Sequence, residues 1–135
     1  MNADKQAIAK SCLEGSENGT MTFPQIIGTL MQAGFESYAI DYRRLSGTYY
    51  LADGDSVVLP MEIEKVRVAA AFDTAEIQSA IKDAQALAPG YTYRKFCARV
   101  MAAGCAGYQV SFSGRRTVYY GRTAETHVEH FPVAK

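Results

Sequence analysis

The sequence contains no tryptophan, only two histidines and no net charge, with 14 Lys and Arg against 14 Asp and Glu in 135 residues. Proteins that bind mainly through nucleic-acid phosphates usually carry a clear basic excess, so neutrality argues against that class. No apolar run approaches the roughly 18 residues that cross a bilayer, and the N-terminus MNADKQAIAK lacks an apolar signal-peptide core. We therefore expect a cytoplasmic protein that does not enter the membrane.

Cysteine chemistry and the common catalytic motifs are also poorly represented. The three cysteines, Cys12, Cys97 and Cys105, form no C-x-x-C pair, which argues against a disulfide framework and a thiolate zinc site. The phosphate-binding, dinucleotide-binding, serine-hydrolase and zinc-protease motifs are absent from the chain. We expect no metal and no cofactor. The composition, 48% apolar and 21% charged, is that of an ordinary globular domain.

Two segments of the chain resemble each other. Residues 22–50 and 92–120 align without gaps at a constant offset of 70. We interpret the similarity as an internal duplication and predict a single domain over residues 1–135, made of two repeats at about 1–60 and 73–132. The identical pairs are Thr22/Thr92, Met31/Met101, Ala33/Ala103, Gly34/Gly104, Tyr38/Tyr108, Tyr49/Tyr119 and Tyr50/Tyr120.

Each repeat reads as a helix followed by a hairpin. Thr22 and Thr92 are typical N-cap residues, and Gly34 and Gly104 are typical of helix ends. After each glycine the apolar period changes from 3.6 to 2, which is typical of a strand with one buried face. Of each Tyr-Tyr pair, one ring should therefore lie in the core and the other on the outer face.

A further helix is predicted before each repeat. The first runs from Asp4 to about Leu13 and is closed by a loop at residues 15–19. The second begins at Asp73 and continues until Pro89-Gly90, with one apolar face made of Ile77, Ile81, Ala84, Leu87 and Ala88. Short strands at 56–59 and 126–131 follow the hairpins, and residues 61–72 connect the repeats.

These elements predict an α+β fold in which an ααββ(β) unit occurs twice. The simplest packing has a pseudo-twofold axis, with the antiparallel hairpins joined in one sheet and the helices packed on one face. Residues 1–72 carry a net charge of −3 and residues 73–135 a net charge of +3. This difference in charge favours the second, basic repeat as the part of the chain that carries the functional surface.

The histidines suggest one candidate for chemistry. In a strand, His127 and Glu129 share a face with Phe131, whereas His130 points the other way. A histidine beside a carboxylate is the minimum for general acid–base catalysis or for two metal ligands, and a metal would need a third ligand such as Asp53 or Asp55. The alternative is a solvent-facing edge strand without chemistry.

A tyrosine and arginine surface is the other candidate. The stretch from Tyr91 to Arg122 holds six bases and no acid. Tyr and Arg dominate both protein interfaces and single-stranded nucleic-acid sites. We therefore expect a binding surface on the second hairpin, although the rings can equally pair across strands. Its residues are Arg115, Arg116, Tyr119 and Arg122.

Residues 90–132 resemble a known bacterial family. The matching features are M-A-A-G at 101–104, G-Y-Q-V at 107–110, G-R-R-T-V-Y-Y-G-R at 114–122 and E-T-H-V-E-H-F-P at 125–132. They resemble the YdfO-like proteins of bacteria and prophages, sometimes labelled "phage envelope protein", and the first repeat is similar to that family's N-terminal half. The resemblance implies a small bacterial or prophage accessory protein and supplies no activity, cofactor or catalytic residue.

Three functional hypotheses follow from the sequence. The first is a non-enzymatic binding module that engages a protein partner through the second hairpin. The second is a small enzyme or metal site at His127 and Glu129, and the third is a single-stranded nucleic-acid binder that uses residues 91–122. We favour the first, which makes an enzyme the less favoured alternative.

Overall fold

The computed structural model describes residues 1–132, which form four helices and six strands. Each half of the chain has the same order of two helices and three strands. The elements are α1 (Ala3–Asn18), α2 (Phe23–Gln32), β1 (Phe35–Asp41), β2 (Ser46–Leu51), β3 (Ser56–Pro60), α3 (Thr74–Gln85), α4 (Tyr93–Ala102), β4 (Cys105–Ser111), β5 (Arg116–Gly121) and β6 (Thr126–His130). None of the described helices has the length and apolarity needed to span a membrane.

The six strands form one antiparallel sheet in the order β3-β2-β1-β4-β5-β6. The two hairpins therefore join at β1 and β4, in the centre. Ala39 of β1 pairs with Gln109 of β4, the residue 70 positions further along the chain, so this pairing is symmetric about that pair. The predicted α+β fold class is confirmed. The descent of both halves from one duplicated unit, and the limits of the single domain, stay predictions; residues 133–135 lie outside the described part.

Helices α2 and α4 begin where a threonine side chain satisfies the backbone, and each ends before a glycine. Thr22 accepts a hydrogen bond from the Gln25 N–H at 3.4 Å, and the Gln25 side chain accepts one from the Thr22 N–H in a capping box. Thr92 accepts from the Lys95 N–H at 3.1 Å. Gly34 follows the first of these helices with a φ of 97°, a conformation that favours glycine.

Two helix boundaries differ from the prediction. The expected loop at 15–19 is wrong, because α1 continues to Asn18 and ends at Gly19, whose φ is 72°. Gly15 fits inside this helix because a Cβ there would lie 2.6 Å from the sulfur of Met21, so glycine lets the chain fold back closely. Helix α3 ends at Gln85, earlier than predicted, and Leu87 is exposed with a φ of 47°.

The core lies between the sheet and the helices on one face. Tyr49 and Tyr119 are buried there, whereas Tyr50 and Tyr120 lie on the other face of the sheet, as the alternation predicts. The buried tyrosine rings contact one another across strands, with centroids 5.3 Å apart for Tyr38 and Tyr49. The abundant tyrosines thus serve largely as core residues.

Candidate functional site

One edge of the sheet gathers several chain segments. Strands β1, β3 and β5 run in the same direction because each is separated from the next by one antiparallel strand, so their C-terminal ends lie at the same edge. Residues 61–72, which form no helix or strand, leave β3 at this edge and run along it to α3. Two hydrogen bonds fix this path. The Met61 N–H donates to the Leu45 carbonyl oxygen (2.8 Å), and the Ala69 N–H donates to the Met101 carbonyl oxygen (3.1 Å).

A pocket of about 480 Å³ lies at this edge. Its lining comes from three segments: the turn after β1, the connecting segment 61–72 and the turn after β5. We call it the basic pocket, because four of the residues that line it are cationic and none is acidic. The lining residues are Tyr42, Arg43, Lys65, Val66, Arg67, Val68 and Arg122.

The four cations of the basic pocket are exposed. Within residues 1–132, none of them forms an ion pair. Arg122 Nη1 donates a hydrogen bond to the Val68 carbonyl at 3.3 Å, which ties the β5 turn to the connecting segment. The neighbouring acid, Asp41, accepts instead from the backbone N–H groups of Arg43 (3.0 Å) and Arg44 (3.2 Å). The lining itself therefore carries four positive charges and no negative charge, with the Asp41 carboxylate next to it.

The residues predicted for the tyrosine and arginine surface lie in three different places. Arg122 lines the basic pocket, whereas Arg115 directly precedes β5 and Arg116 is its first residue, so both lie at the opposite edge of the sheet. The Arg115 guanidinium lies 5.9 Å from the centre of the Phe131 ring. Tyr119 is buried on the helix-covered face, with 8% of its surface exposed. These four side chains do not form one continuous surface.

The acid-free stretch 91–122 is likewise dispersed. On α4, Arg99 binds Glu76 at 2.6 Å and Asp83 at 2.7 Å, both on α3. Arg94 of the same helix donates to the backbone carbonyls of Glu17 and Glu62, which ties α4 to α1 and to the connecting segment. These arginines stabilise packing between elements, so the stretch does not present its six bases together.

His127 and Glu129 meet as the strand alternation predicts. His127 Nε2 and Glu129 Oε2 are 3.0 Å apart on the partly covered face of β6, and the imidazole stacks on Tyr119 with ring centroids 6.4 Å apart. Gln85 of α3 places Nε2 3.4 Å from the other carboxylate oxygen. His130 is exposed on the opposite face. The arrangement provides a histidine–carboxylate pair with one further polar group.

The acids suggested as a third metal ligand lie elsewhere. Asp53 and Asp55 belong to the turn between β2 and β3, at the far side of the sheet from β6. Asp55 binds the Met1 amino group at 2.7 Å. Among residues 1–132, no group of three or more His, Cys, Asp and Glu side chains is arranged to hold a metal ion.

Comparison with known proteins adds a family. Residues 10–129 match the family described as Protein of unknown function (DUF1398). The chain belongs to this family. The match extends from α1 to β6 and thus includes both the basic pocket and the His127–Glu129 pair. No curated protein matches the sequence.

The three cysteines of this DUF1398 chain are free and buried. Burial raises the pKa of Cys97 to about 12 and that of Cys105 to about 11, and it also raises the pKa of Cys12. The thiols are therefore protonated at neutral pH and are poor nucleophiles. Cys97 instead accepts a hydrogen bond from the Tyr42 hydroxyl at 3.4 Å, beneath the basic pocket.

Sequence reasoning missed three of the four pocket cations, Arg43, Lys65 and Arg67. A local signal for two of them exists in the run Lys65-Val66-Arg67-Val68, where cations alternate with valines as in an extended segment. Arg43 directly follows a strand, where a side chain readily reaches the sheet edge. All three belong to residues 1–72, whose net charge is −3, so a comparison of the net charges of the two halves does not reveal them.

Proposed function

We propose that this DUF1398 chain is a non-enzymatic binding module that holds an anionic partner in the basic pocket. The observation that supports this proposal is the set of four cations around one concave site with no carboxylate in its lining and no ion pair within residues 1–132. Like charges gathered in one place repel each other, and an anion bound among them removes that repulsion.

The chemistry of the pocket favours binding over catalysis. Arg and Lys side chains keep their protons at neutral pH, and the valines carry no reactive group. Tyr42 is fully buried, and burial raises the pKa of its hydroxyl well above the usual value. The lining thus contains donors and positive charge but no group suited to proton transfer at neutral pH.

This proposal refines the one drawn from the sequence. We keep a binding module in a bacterial or prophage accessory protein, supported by the YdfO-like resemblance, and we move its contact surface to the sheet edge. Of Arg115, Arg116, Tyr119 and Arg122, only the last takes part in the new site. A protein partner would meet the pocket with Asp or Glu side chains.

Thermal denaturation in the presence of anions tests the proposal. At constant ionic strength, we expect at least one multivalent anion among pyrophosphate, citrate and hexaglutamate to raise the melting temperature above that in sodium chloride. The double variant Arg67→Gln/Arg122→Gln should lose this rise, and Arg44→Gln, an exposed neighbour outside the pocket, should keep it. If no anion outperforms chloride, the proposal fails.

A second candidate is a small enzyme, favoured by the 3.0 Å contact of His127 and Glu129. The imidazole would act as general base with the carboxylate orienting it. Hydrolysis of p-nitrophenyl acetate by the wild type should then fall sharply in His127→Gln and persist in His130→Gln, which changes a histidine on the opposite face. Equal rates in both variants would exclude this candidate.

A further inference from the structure

The size of the basic pocket limits what it can hold. About 480 Å³ is within the range of roughly 300–1,000 Å³ typical of small-molecule sites. The cations come from three separate segments that line one open concavity. A compact ligand seated there would lie beside all three segments, whereas an extended chain would place most of its charges elsewhere.

The charge of the pocket further limits the class of ligand that it can hold. A phosphate ester carries about −1.5 to −2 at neutral pH, so two phosphate groups supply about three to four negative charges. A carboxylate supplies only one, so a ligand of this size would need four carboxylates to match the four cations. Phosphate groups therefore neutralise the site with far less bulk.

The types of cation also suit phosphate oxygens. Three of the four are arginines, whose planar guanidinium donates two parallel hydrogen bonds to phosphate, and the lysine adds a point charge. Arg122 is held in place by its bond to the Val68 carbonyl, which reduces the freedom it would lose on binding. Val66 and Val68 provide an apolar wall for the carbon part of a ligand.

From this combination we infer that the basic pocket binds a small molecule carrying two phosphate groups, either linked as a diphosphate or separate as a bisphosphate. The inference rests on the proposed function, since it names the chemical class of the anionic partner. Both sources share the same chemistry, namely two phosphate groups within a site of about 480 Å³.

Isothermal titration calorimetry at fixed ionic strength tests the inference with pyrophosphate, 1,6-hexanediol bisphosphate, orthophosphate, citrate and hexaglutamate. We expect one of the two diphosphorylated probes to bind at least tenfold more tightly than orthophosphate and citrate. Arg67→Gln and, separately, Lys65→Gln should each weaken that binding at least tenfold, and Arg44→Gln should change it less than twofold. Circular dichroism and melting temperature show whether each variant is folded. Which diphosphorylated probe binds distinguishes a linked from a separated pair of phosphates.

The outcomes separate this inference from the proposed function. If hexaglutamate or citrate binds through Arg67 and neither diphosphorylated probe exceeds orthophosphate, the phosphate assignment is overturned while an anion-binding module remains. If a diphosphorylated probe binds but the pocket variants bind it equally well, the site is elsewhere and both proposals are overturned. If no probe binds to the folded wild type, both are overturned as well.

Discussion

Replacing Arg67 with glutamine should make the folded protein more stable at low salt. Arg67 lines the basic pocket and forms no ion pair or side-chain hydrogen bond within residues 1–132, so its removal breaks no such interaction there. What it removes is repulsion from the other three cations. Binding residues often reduce stability in this way, because they are positioned for a ligand that is absent.

The size of the effect can be worked out by taking the width of the pocket as the separation between Arg67 and each of the other three charges. A sphere of 480 Å³ is about 10 Å across. In water, two unit charges about 10 Å apart repel each other by about 0.4 kcal/mol, so three pairs give about 1.2 kcal/mol. Screening leaves about 0.9 kcal/mol at 10 mM salt, where the Debye length is about 30 Å, and about 0.3 kcal/mol at 0.15 M, where it is about 8 Å.

Urea denaturation of both proteins at 10 mM and 150 mM sodium chloride measures this difference directly. At 10 mM salt, Arg67→Gln should exceed the wild type in free energy of unfolding by about 0.9 kcal/mol, and most of the gain should vanish at 150 mM. Arg99→Gln is the matched control with the opposite sign, since Arg99 binds Glu76 and Asp83. A loss of stability in Arg67→Gln, or a gain unaffected by salt, would refute the reasoning.

Three further predictions concern the core and its connections. Gly107→Ala should destabilise the protein by about 1–3 kcal/mol, because the new Cβ would lie 2.3 Å from the Ile40 carbonyl oxygen, whereas Gly28→Ala in open space on α2 should be neutral or stabilising in the same melts. All three thiols should resist iodoacetamide at pH 8 until denaturant is added, since burial keeps them protonated. Glu17→Ala should cost about 1–3 kcal/mol at pH 7, because it removes the acceptor of the Glu62 N–H, and Glu17→Gln should not.

The difference in stability between Glu17→Gln and the wild type should depend on pH in a definite direction. Burial raises the pKa of Glu17 above its ordinary 4.5, against smaller opposing effects of the Glu62 N–H and Arg94. Ionisation therefore costs the folded state stability as pH rises above about 4.5. Urea denaturation should show Glu17→Gln at least as stable as the wild type at pH 7, with the difference shrinking near pH 4. A difference that grows on acidification would contradict this.

Local rules predicted most of the fold. The threonine caps, the glycines after the helices and the alternation in each strand determine element type and facing, and a repeat at offset 70 indicates how the two hairpins meet. The predictions that failed concern helix boundaries, where two local signals compete and the rules do not say which one prevails. Gly15 reads as a helix breaker, but its missing Cβ accommodates Met21 within a longer helix. Leu87 fits the apolar period but lies past the end of α3.

The site was harder to predict because its residues meet only through the path of an irregular segment. The pair His127–Glu129 lies on one strand, so alternation alone brings the side chains to one face. The basic pocket needs the direction of β1 and β5, the crossing of residues 61–72 and the turn that carries Arg43. No period or motif encodes that path, since the segment forms no helix or strand.

The repeat interpretation locates the difference that creates the pocket. At offset 70, Arg43 corresponds to Ser113 and Arg122 corresponds to Ala52, so the equivalent positions at the opposite edge are neutral. The two halves have the same order of elements, so the backbone is built in the same way at both edges. The backbone alone therefore does not require the cations. The cations of the pocket lie at the edge that the connecting segment crosses, and that segment contributes Lys65 and Arg67, whereas Arg115 and Arg116 lie at the opposite edge. Arg43 and Arg122 thus lie at positions where the two halves differ. Because the fold that both halves share does not require their charge, the charge argues for a role in binding.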